Sequence, residues 1–273
     1  MGDAVHRHPP AAALGSNTCV QDGFNLAWKL ALVVKGKAHP KLLESFNEER
    51  QPVAKQIVAR ANTSMWQANG LADYLGACLF NVFSGADVDA KLATPEGREG
   101  LREKLLETRY NGEAHGVELA RNYRSCAVID DGSPEPEAVR DPELYYVPST
   151  RPGSALPHGW LSTRQAGPLV STLDLAGKGK FHLFSSHGGA AWAKAAKTVA
   201  EKFGVEIGAT LIGVGLDYED PYLDWQNVCG TEENGCVLVR PDLVVGWRST
   251  DLPGNPEEAL TQVMASILGW KSN

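Results

Sequence analysis

Gly2-Asp3-Ala4-Val5-His6-Arg7-His8-Pro9-Pro10, continued by Leu14-Gly15-Ser16-Asn17-Thr18-Cys19-Val20-Gln21-Asp22 and Asn25-Leu26-Ala27-Trp28-Lys29-Leu30-Ala31, is the stretch from which the rest of this sequence is read. Asp3 stands where a strand would end, and Ser16 or Asn17 can cap the first free amides of a helix starting near Asn17. The Gly15-Ser16-Asn17 turn aims those amides outward, where they and the helix dipole favour negative charge on a ligand. Taken alone, these few residues fit a plain strand-to-helix turn equally well. The helix is predicted to carry an apolar face through Val20, Phe24, Ala27, Ala31 and Val34, with a stop at Gly36.

Working outward, a second helix is expected after Pro40, with Leu43, Phe46, Arg50, Val53, Ile57 and Ala61 on one face. Pro52 inside that pattern predicts a kink or break. Helical signals return over Met65 to Leu79 and from Pro95 through Leu105, so residues 1–129 read as mainly helical. Residues 130–153 interleave five prolines with acidic side chains and suit a linker or a surface-hugging connection. The period then changes. Phe181 to Ser185 reads as a strand, Ala190 to Phe203 as a helix and Val205 to Val214 as a strand. Cys236 to Val239 with Leu243 to Trp247 reads as a hairpin, and Pro256 to Leu268 as a helix. This βαβ-hairpin-helix order over 154–273 predicts a thioredoxin-like α/β domain, and the chain as a whole an α+β protein.

Bulk properties narrow the function. The 273 residues are 43% hydrophobic and 22% charged, with no apolar run long enough to span a membrane. A net charge of −7 opposes nucleic-acid binding, which draws on clustered Lys and Arg. The amino terminus has no secretion or myristoylation pattern, so a cytoplasmic location is expected. Five widely spaced cysteines without a Cys-x-x-Cys pair indicate reduced thiols rather than a disulfide framework, zinc knuckle or disulfide-exchange site, with Cys229 and Cys236 read as packing residues. The histidines supply no metal-ligand spacing, so no metal is expected. Ser185-Ser186-His187-Gly188-Gly189 lacks the Gly-x-Ser-x-Gly elbow and reads as a strand-to-helix loop.

The opening stretch, extended through Leu42-Leu43, Phe46, Glu49-Arg50 and Pro52-Val53-Ala54, resembles the second FAD-binding motif of FAD-dependent aromatic-ring hydroxylases of the phenol and chlorophenol type. The resemblance continues through Tyr123-Arg124-Ser125, Asp141 to Tyr146, Arg151-Pro152-Gly153, Pro157-His158 and Val239-Arg240-Pro241-Asp242, and so covers nearly the whole chain. It implies that Asp3, Pro10, Gly15, Ser16 and Asn17 bind flavin, with Asp3 accepting from ribityl hydroxyls, the helix start facing the pyrimidine edge of the ring and Pro9-Pro10 lining its reacting side. In the family, NADPH reduces FAD and oxygen then hydroxylates an electron-rich phenol. Residues 1–129 would be the helical remnant of a FAD and substrate domain, and 154–273 the thioredoxin-like domain associated with subunit contacts.

Two departures qualify that inheritance. Ala11-Ala12-Ala13 stands where relatives carry Gly or small polar residues, removing backbone freedom and side-chain hydrogen bonds near the ring. No Gly-x-Gly-x-x-Gly follows a predicted strand, so the nucleotide half of FAD has no recognisable cradle. The expectation is a carboxy-terminal part of a hydroxylase for a phenolic or polyketide-like substrate, incomplete for catalysis alone. It would pair with itself as a homodimer or with a complementing amino-terminal flavoprotein chain. Two alternatives stay open. One is a flavin-independent lyase, isomerase or cyclase using His6, His8 and Asp3 as acid-base groups. The other is a non-catalytic assembly subunit.

Overall fold

A computed structural model describes residues 1–7, 9–10, 13–76, 85–165 and 167–271. Its elements are α1 (Leu14–Val34), α2 (Glu44–Tyr74), α3 (Gly85–Ala93), α4 (Pro95–Thr108), α5 (His115–Leu119), β1 (Trp160–Leu161), β2 (Val170–Ser171), α6 (Thr172–Leu175), β3 (Phe181–Ser185), α7 (Ala190–Phe203), β4 (Ile207–Leu211), α8 (Asp224–Val228), β5 (Cys236–Val239), β6 (Val245–Ser249) and α9 (Pro256–Ile267). A helical region is thus followed by a mixed α/β region with two small sheets. Among the described residues no helix is long and apolar enough to cross a membrane. The chain divides into two compact units that interleave along the sequence. One comprises Met1–Asp22, Pro52–Glu118 and Arg140–Tyr146; the other comprises Gly23–Gln51, Leu119–Val139 and Val147–Asn273.

In the first unit Val53, Ala54, Ile57 and Ala61 form the buried stripe of α2, at the helical spacing the sequence predicts. The buried Arg60 guanidinium donates to Glu143 (2.7 Å) and Gln67 (2.6 Å). Tyr110 donates to Asp141 at 2.5 Å, and the Gly116 amide donates to the Glu143 carbonyl. A Cβ at Gly116 would stand 1.8 Å from the Pro142 carbonyl oxygen, so only glycine admits the 140–146 segment this closely. That part of the proline-rich stretch therefore hugs a surface rather than hanging free.

The second unit is built on a four-stranded sheet of order β4-β3-β5-β6. β3 and β4 are parallel and joined through α7, while β5 runs antiparallel to both β3 and β6. Strand alternation sends Phe181, Leu183, Cys236 and Leu238 into one core with α7 and α9, and Phe184, Val237, Val239 and Val245 into a second core with Trp225. Burial on both faces explains why β5 reads as an unbroken apolar run. The β5–β6 turn closes through the Leu243 amide donating to the Arg240 carbonyl at 3.0 Å. Trp28 and Leu42, from the helical region, belong to the first core, with Trp28 edge-on to Phe181 at 5.7 Å.

The helical region departs from its reading at three points. α1 begins at Leu14, so Gly15, Ser16 and Asn17 form its first turn instead of preceding it. α2 runs unbroken past Pro52, although the division between the two units falls there. Burial of Val53, Ala54 and Ile57 immediately afterwards offsets the roughly 3 kcal/mol cost of an internal proline. Most telling, the predicted apolar face of α1 is the exposed one: Val20 is 72% exposed, Phe24 48% and Val34 77%. The buried face instead carries Leu14, Thr18, Asp22, Asn25 and Lys29, at spacings of three or four.

A fully enclosed charge cluster in the second unit makes that polar face stable. Glu49 accepts from Lys29 Nζ (2.8 Å), Asn25 Nδ2 (2.6 Å), Ser125 Oγ (2.6 Å) and both Arg240 Nη atoms (2.6 and 2.9 Å). Arg240 also holds Asp242 at 2.6 Å, and Asp242 accepts from Asn25. Burial alone would raise the Glu49 carboxyl; Arg240 and then Lys29 outweigh it and hold the group well below the usual carboxylate range. Burial, followed by the Arg240 charge, lowers Lys29 to about 8 against the partial opposition of Glu49 and Asp242.

Glu49→Gln leaves two buried cations without their shared counter-charge, a change that costs about 3–5 kcal/mol. The thermal midpoint is expected to fall by roughly 10 °C; a loss of no more than a degree or two would contradict this role. Lys29 supplies a pH signature. Its folded value of about 8 lies below the ordinary lysine value of 10.5, so between these limits the unfolded chain binds more protons and the Lys29 contribution to stability rises with pH. In denaturant titrations across that window, the stability difference between the parent chain and Lys29→Met should change with this sign, the parent gaining toward alkaline pH. A pH-independent difference would refute it.

Candidate functional site

The amino-terminal turn is organised by Gly2. Residues Gly2–Ala4 form a single 3-10 turn whose first carbonyl, that of Gly2, accepts the amides of Val5 (2.8 Å) and His6 (3.0 Å). Gly2 has φ +61°, and a Cβ there would meet Cys19 Sγ at 3.1 Å, so both conformation and space call for glycine. Its amide donates to Asp22 Oδ2 at 3.2 Å, and the same oxygen lies 3.1 Å from His6 Nε2. Asp22 and His6 are both buried. The turn is thereby fastened to α1 two helical turns beyond the helix start.

This arrangement borders an open cleft of about 550 Å³ lined by Asp3, His6, Arg7, Pro10, Gly15 and Ser16, together with Ala13, Leu14 and Cys19. Leu14, Gly15 and Ser16, in the first turn of α1, stand at the cavity wall, at the positive end of the helix dipole. Asp3 is exposed at the rim. Of the residues expected at a flavin, Asp3, Pro10, Gly15 and Ser16 therefore share one cavity. Asn17 turns back instead: its Nδ2 donates to the Ala13 carbonyl at 3.0 Å, and it is not among the described lining residues. Ala13 has φ +51°, the left-handed region that glycine enters freely and alanine does not, which gives the alanine run a local cost of about 1 kcal/mol. Ala11 and Ala12 lie outside the described residues.

Of the acid-base candidates, Asp3 and His6 line this same cavity. His6 is packed against Asp22, and His8 lies outside the described residues. Asp22 was missed by the reading from sequence. The signal was present in the polar run Thr18, Asp22, Asn25, Lys29, whose helical spacing marks a buried polar face as well as it would a solvated one. Elsewhere, His158 is held by Ser171 (2.7 Å) and His182 by Thr210 (2.9 Å); burial lowers His182 to about 4, which leaves it a neutral core side chain at ordinary pH. Among the described residues no group of three His, Cys, Asp or Glu is placed to hold a metal ion.

A helix start opening on a cavity beside a glycine turn, in a chain whose second half is a small mixed sheet, corresponds to known families at both ends. Residues 1–61 match the FAD binding domain family, and residues 149–270 match the carboxy-terminal domain of the aromatic-ring hydroxylases. The chain belongs to the FAD-dependent aromatic-ring hydroxylases and corresponds to their carboxy-terminal portion. It is 44% identical to 2,4-dichlorophenol 6-monooxygenase of Cupriavidus pinatubonensis over 99% of this chain and 46% of that protein. It is 43% identical to phenol 2-monooxygenase of Pseudomonas sp., over 97% of this chain and 44% of the relative. Among solved structures, the flavin-dependent monooxygenase PieE in complex with FAD and substrate superposes with a TM-score of 0.88 at 43% identity, over 98% of this chain and 47% of that one. The chain thus spans about half the length of the relatives it matches.

Asp22→Ala removes the acceptor shared by the Gly2 amide and His6, each in a buried position. Loss of about 1–3 kcal/mol is expected, together with faster hydrogen exchange at the Val5 and His6 amides. Unchanged exchange there would show that Asp22 does not fasten the turn.

Proposed function

We propose that this chain supplies one wall of the flavin site in an FAD- and NADPH-dependent monooxygenase that hydroxylates a phenolic or polyketide-like aromatic ring. The carrying observation is the cavity that Asp3, Pro10, Gly15 and Ser16 line together at the start of α1. The residues present fit such a group. The cleft has room for a ring system, the positive end of α1 favours its electron-rich edge, and the exposed Asp3 offers acceptors to hydroxyls. When bound, the flavin supplies the redox chemistry, and the chain binds and orients it. Relatives named as phenol, dichlorophenol and polyketide hydroxylases support the substrate class. The His6–Asp22 contact favours this reading over a flavin-independent lyase, isomerase or cyclase, because it gives His6 a place in the buried support of the turn.

The chain alone is proposed to be incomplete for catalysis, with the remaining wall provided by an amino-terminal flavoprotein portion like the one its relatives carry. The exposed apolar side chains Phe24, Leu30 and Val34 of α1 form the surface proposed to receive it. The sheet order β4-β3-β5-β6, with α7 crossing between parallel strands and α9 closing the chain, supports a thioredoxin-like reading of the second half and with it a role in homodimer contacts rather than redox exchange. Activity in the cytoplasm accords with the reduced thiols this reading expects.

The visible spectrum of the chain titrated with FAD, alone and with the amino-terminal half of a relative supplied as a second polypeptide, tests the proposal. Stoichiometric flavin bands are expected only in the mixture. Asp3→Ala should lower FAD affinity about tenfold, the worth of one hydrogen bond to a charged group. Phe24→Glu should prevent complementation while leaving the circular dichroism of the chain unchanged. Equal retention of FAD by the Asp3→Ala mixture would defeat the site assignment, and full complementation by Phe24→Glu would defeat the docking surface.

A further inference from the structure

The two edges of the four-stranded sheet are finished differently. At β6 the Ile129 amide donates to the Gly246 carbonyl (2.8 Å), the Gly153 amide to the Val245 carbonyl (2.8 Å) and the Val245 amide to the Ser154 carbonyl (2.9 Å), so irregular segments of the chain cover that edge. β4, at the opposite edge, lacks such cover over its first half. Its parallel register, from Phe181 beside Ile207 to Ser185 beside Leu211, turns the peptide groups of Gly208 and Thr210 toward β3 and those of Ile207, Ala209 and Leu211 away from it. Leu211 is closed, because its amide donates to Asp217 Oδ2 (2.9 Å) and its carbonyl accepts the Tyr218 amide (3.3 Å). The outward amides and carbonyls of Ile207 and Ala209 have no partner among the described residues, and Ala209 is exposed.

Native sheets guard an open edge with proline, charged side chains or a bulge. Ile207-Gly208-Ala209-Thr210-Leu211 carries none of these. The open stretch is also self-complementary. A second copy turned about Gly208 runs antiparallel to the first and sets Ile207 opposite the partner's Ala209, where each open amide meets an open carbonyl. Charge points the same way. At the amino end of β4, Lys180 pairs with Glu206 at 2.6 Å, and Lys37 and Lys35 lie close enough to help hold that carboxyl below its ordinary value, so positive charge is in excess there. At the carboxyl end stand Asp217 and Glu219, with Arg164 donating from Nε to the Leu216 carbonyl at 3.2 Å, so negative charge is in excess. Antiparallel pairing brings the basic end of each copy to the acidic end of the other, whereas parallel pairing sets like ends together.

We propose that the β4 edge is the surface through which two copies of this chain associate, by antiparallel main-chain pairing of Ile207 and Ala209 across a two-fold axis at Gly208. Such an isologous contact closes on itself, so it stops at two copies and joins their sheets into one. Because the open stretch is short, the association is reversible rather than obligate. This contact rests on the homodimer reading given above and is independent of the flavin site.

Sedimentation velocity of the full chain over a range of concentrations, with hydrogen exchange followed at single amides, tests it. A reversible dimer is expected, weakening as salt rises, with exchange at the Ile207 and Ala209 amides slowing as the dimer forms. Ala209→Lys sets like charges on either side of the axis, and Ala209→Pro removes an outward amide but no bond to β3. Each should weaken association about tenfold, whereas Ala209→Thr should leave it within about twofold. A chain that stays monomeric would overturn this contact and the homodimer reading together. A dimer in which those two amides exchange as fast as in the monomer, or one that Ala209→Lys does not weaken, would overturn the edge contact alone. Protection appearing only when the amino-terminal half of a relative is added would assign the edge to that partner and equally overturn the proposal.

Discussion

The carboxylate of Glu49 is the point on which the larger unit depends. Five donor atoms from four side chains converge on its two oxygens, in surroundings that admit no water-sized exposure. A buried carboxylate is destabilising unless its charge and lone pairs are met, and here two cations and two neutral donors meet them. The donors come from distant stretches of sequence: Asn25 and Lys29 from α1, Ser125 from the connection, and Arg240 from the end of β5. A single acceptor therefore fixes where α1 and α2 lie against the hairpin within that unit. Apolar contacts such as Trp28 on Phe181 reinforce the same placement but are less selective about register.

This explains why the compact units do not follow the boundaries of the matched families. Asn25, Lys29 and Glu49 fall in the residues that match the FAD binding domain family, whereas Arg240 and Asp242 fall in those that match the hydroxylase carboxy-terminal domain. The charge cluster joins them into one unit, leaving residues 1–22 with Pro52–Glu118 in the other. Burying ions in this way adds little net stability over an apolar core of equal volume, but it penalises wrong pairings heavily, since any slip strands a charge.

The sheet-bearing half was legible because its strands and helices obey local rules. Phe181 to Ser185, Ala190 to Phe203 and Pro256 to Ile267 follow directly from alternation, helical spacing and proline at a helix start. The two-residue strands β1 and β2 were not, being too short to show a period. For α1 the pattern misled. Hydrophobic spacing assumes that the buried face is the apolar one, and the face of Asn25 and Lys29 is buried because partners from elsewhere in the chain satisfy it. No window around residue 25 contains Glu49 or Arg240, so the cue is non-local. Leu14, Thr18, Asp22, Asn25 and Lys29 do share a helical stripe, and a stripe ending in two groups able to exchange hydrogen bonds was the available hint.

The amino-terminal turn follows the opposite logic, since its determinants are nearly all local. Gly2 supplies the positive φ, the carbonyl that receives two amides, the amide that reaches Asp22 and the missing Cβ that admits Cys19. These partners lie within residues 2–22, inside the share of the opening segment assigned to the smaller unit. Such a turn keeps its shape from its own contacts, so its ability to present α1 amides to a ligand does not rest on a nucleotide-binding βαβ element. The sequence contains no Gly-x-Gly-x-x-Gly cradle for the far end of a dinucleotide. Under the proposed function the division of labour is physical: this wall orients the ring system, and the pyrophosphate and adenosine are held elsewhere.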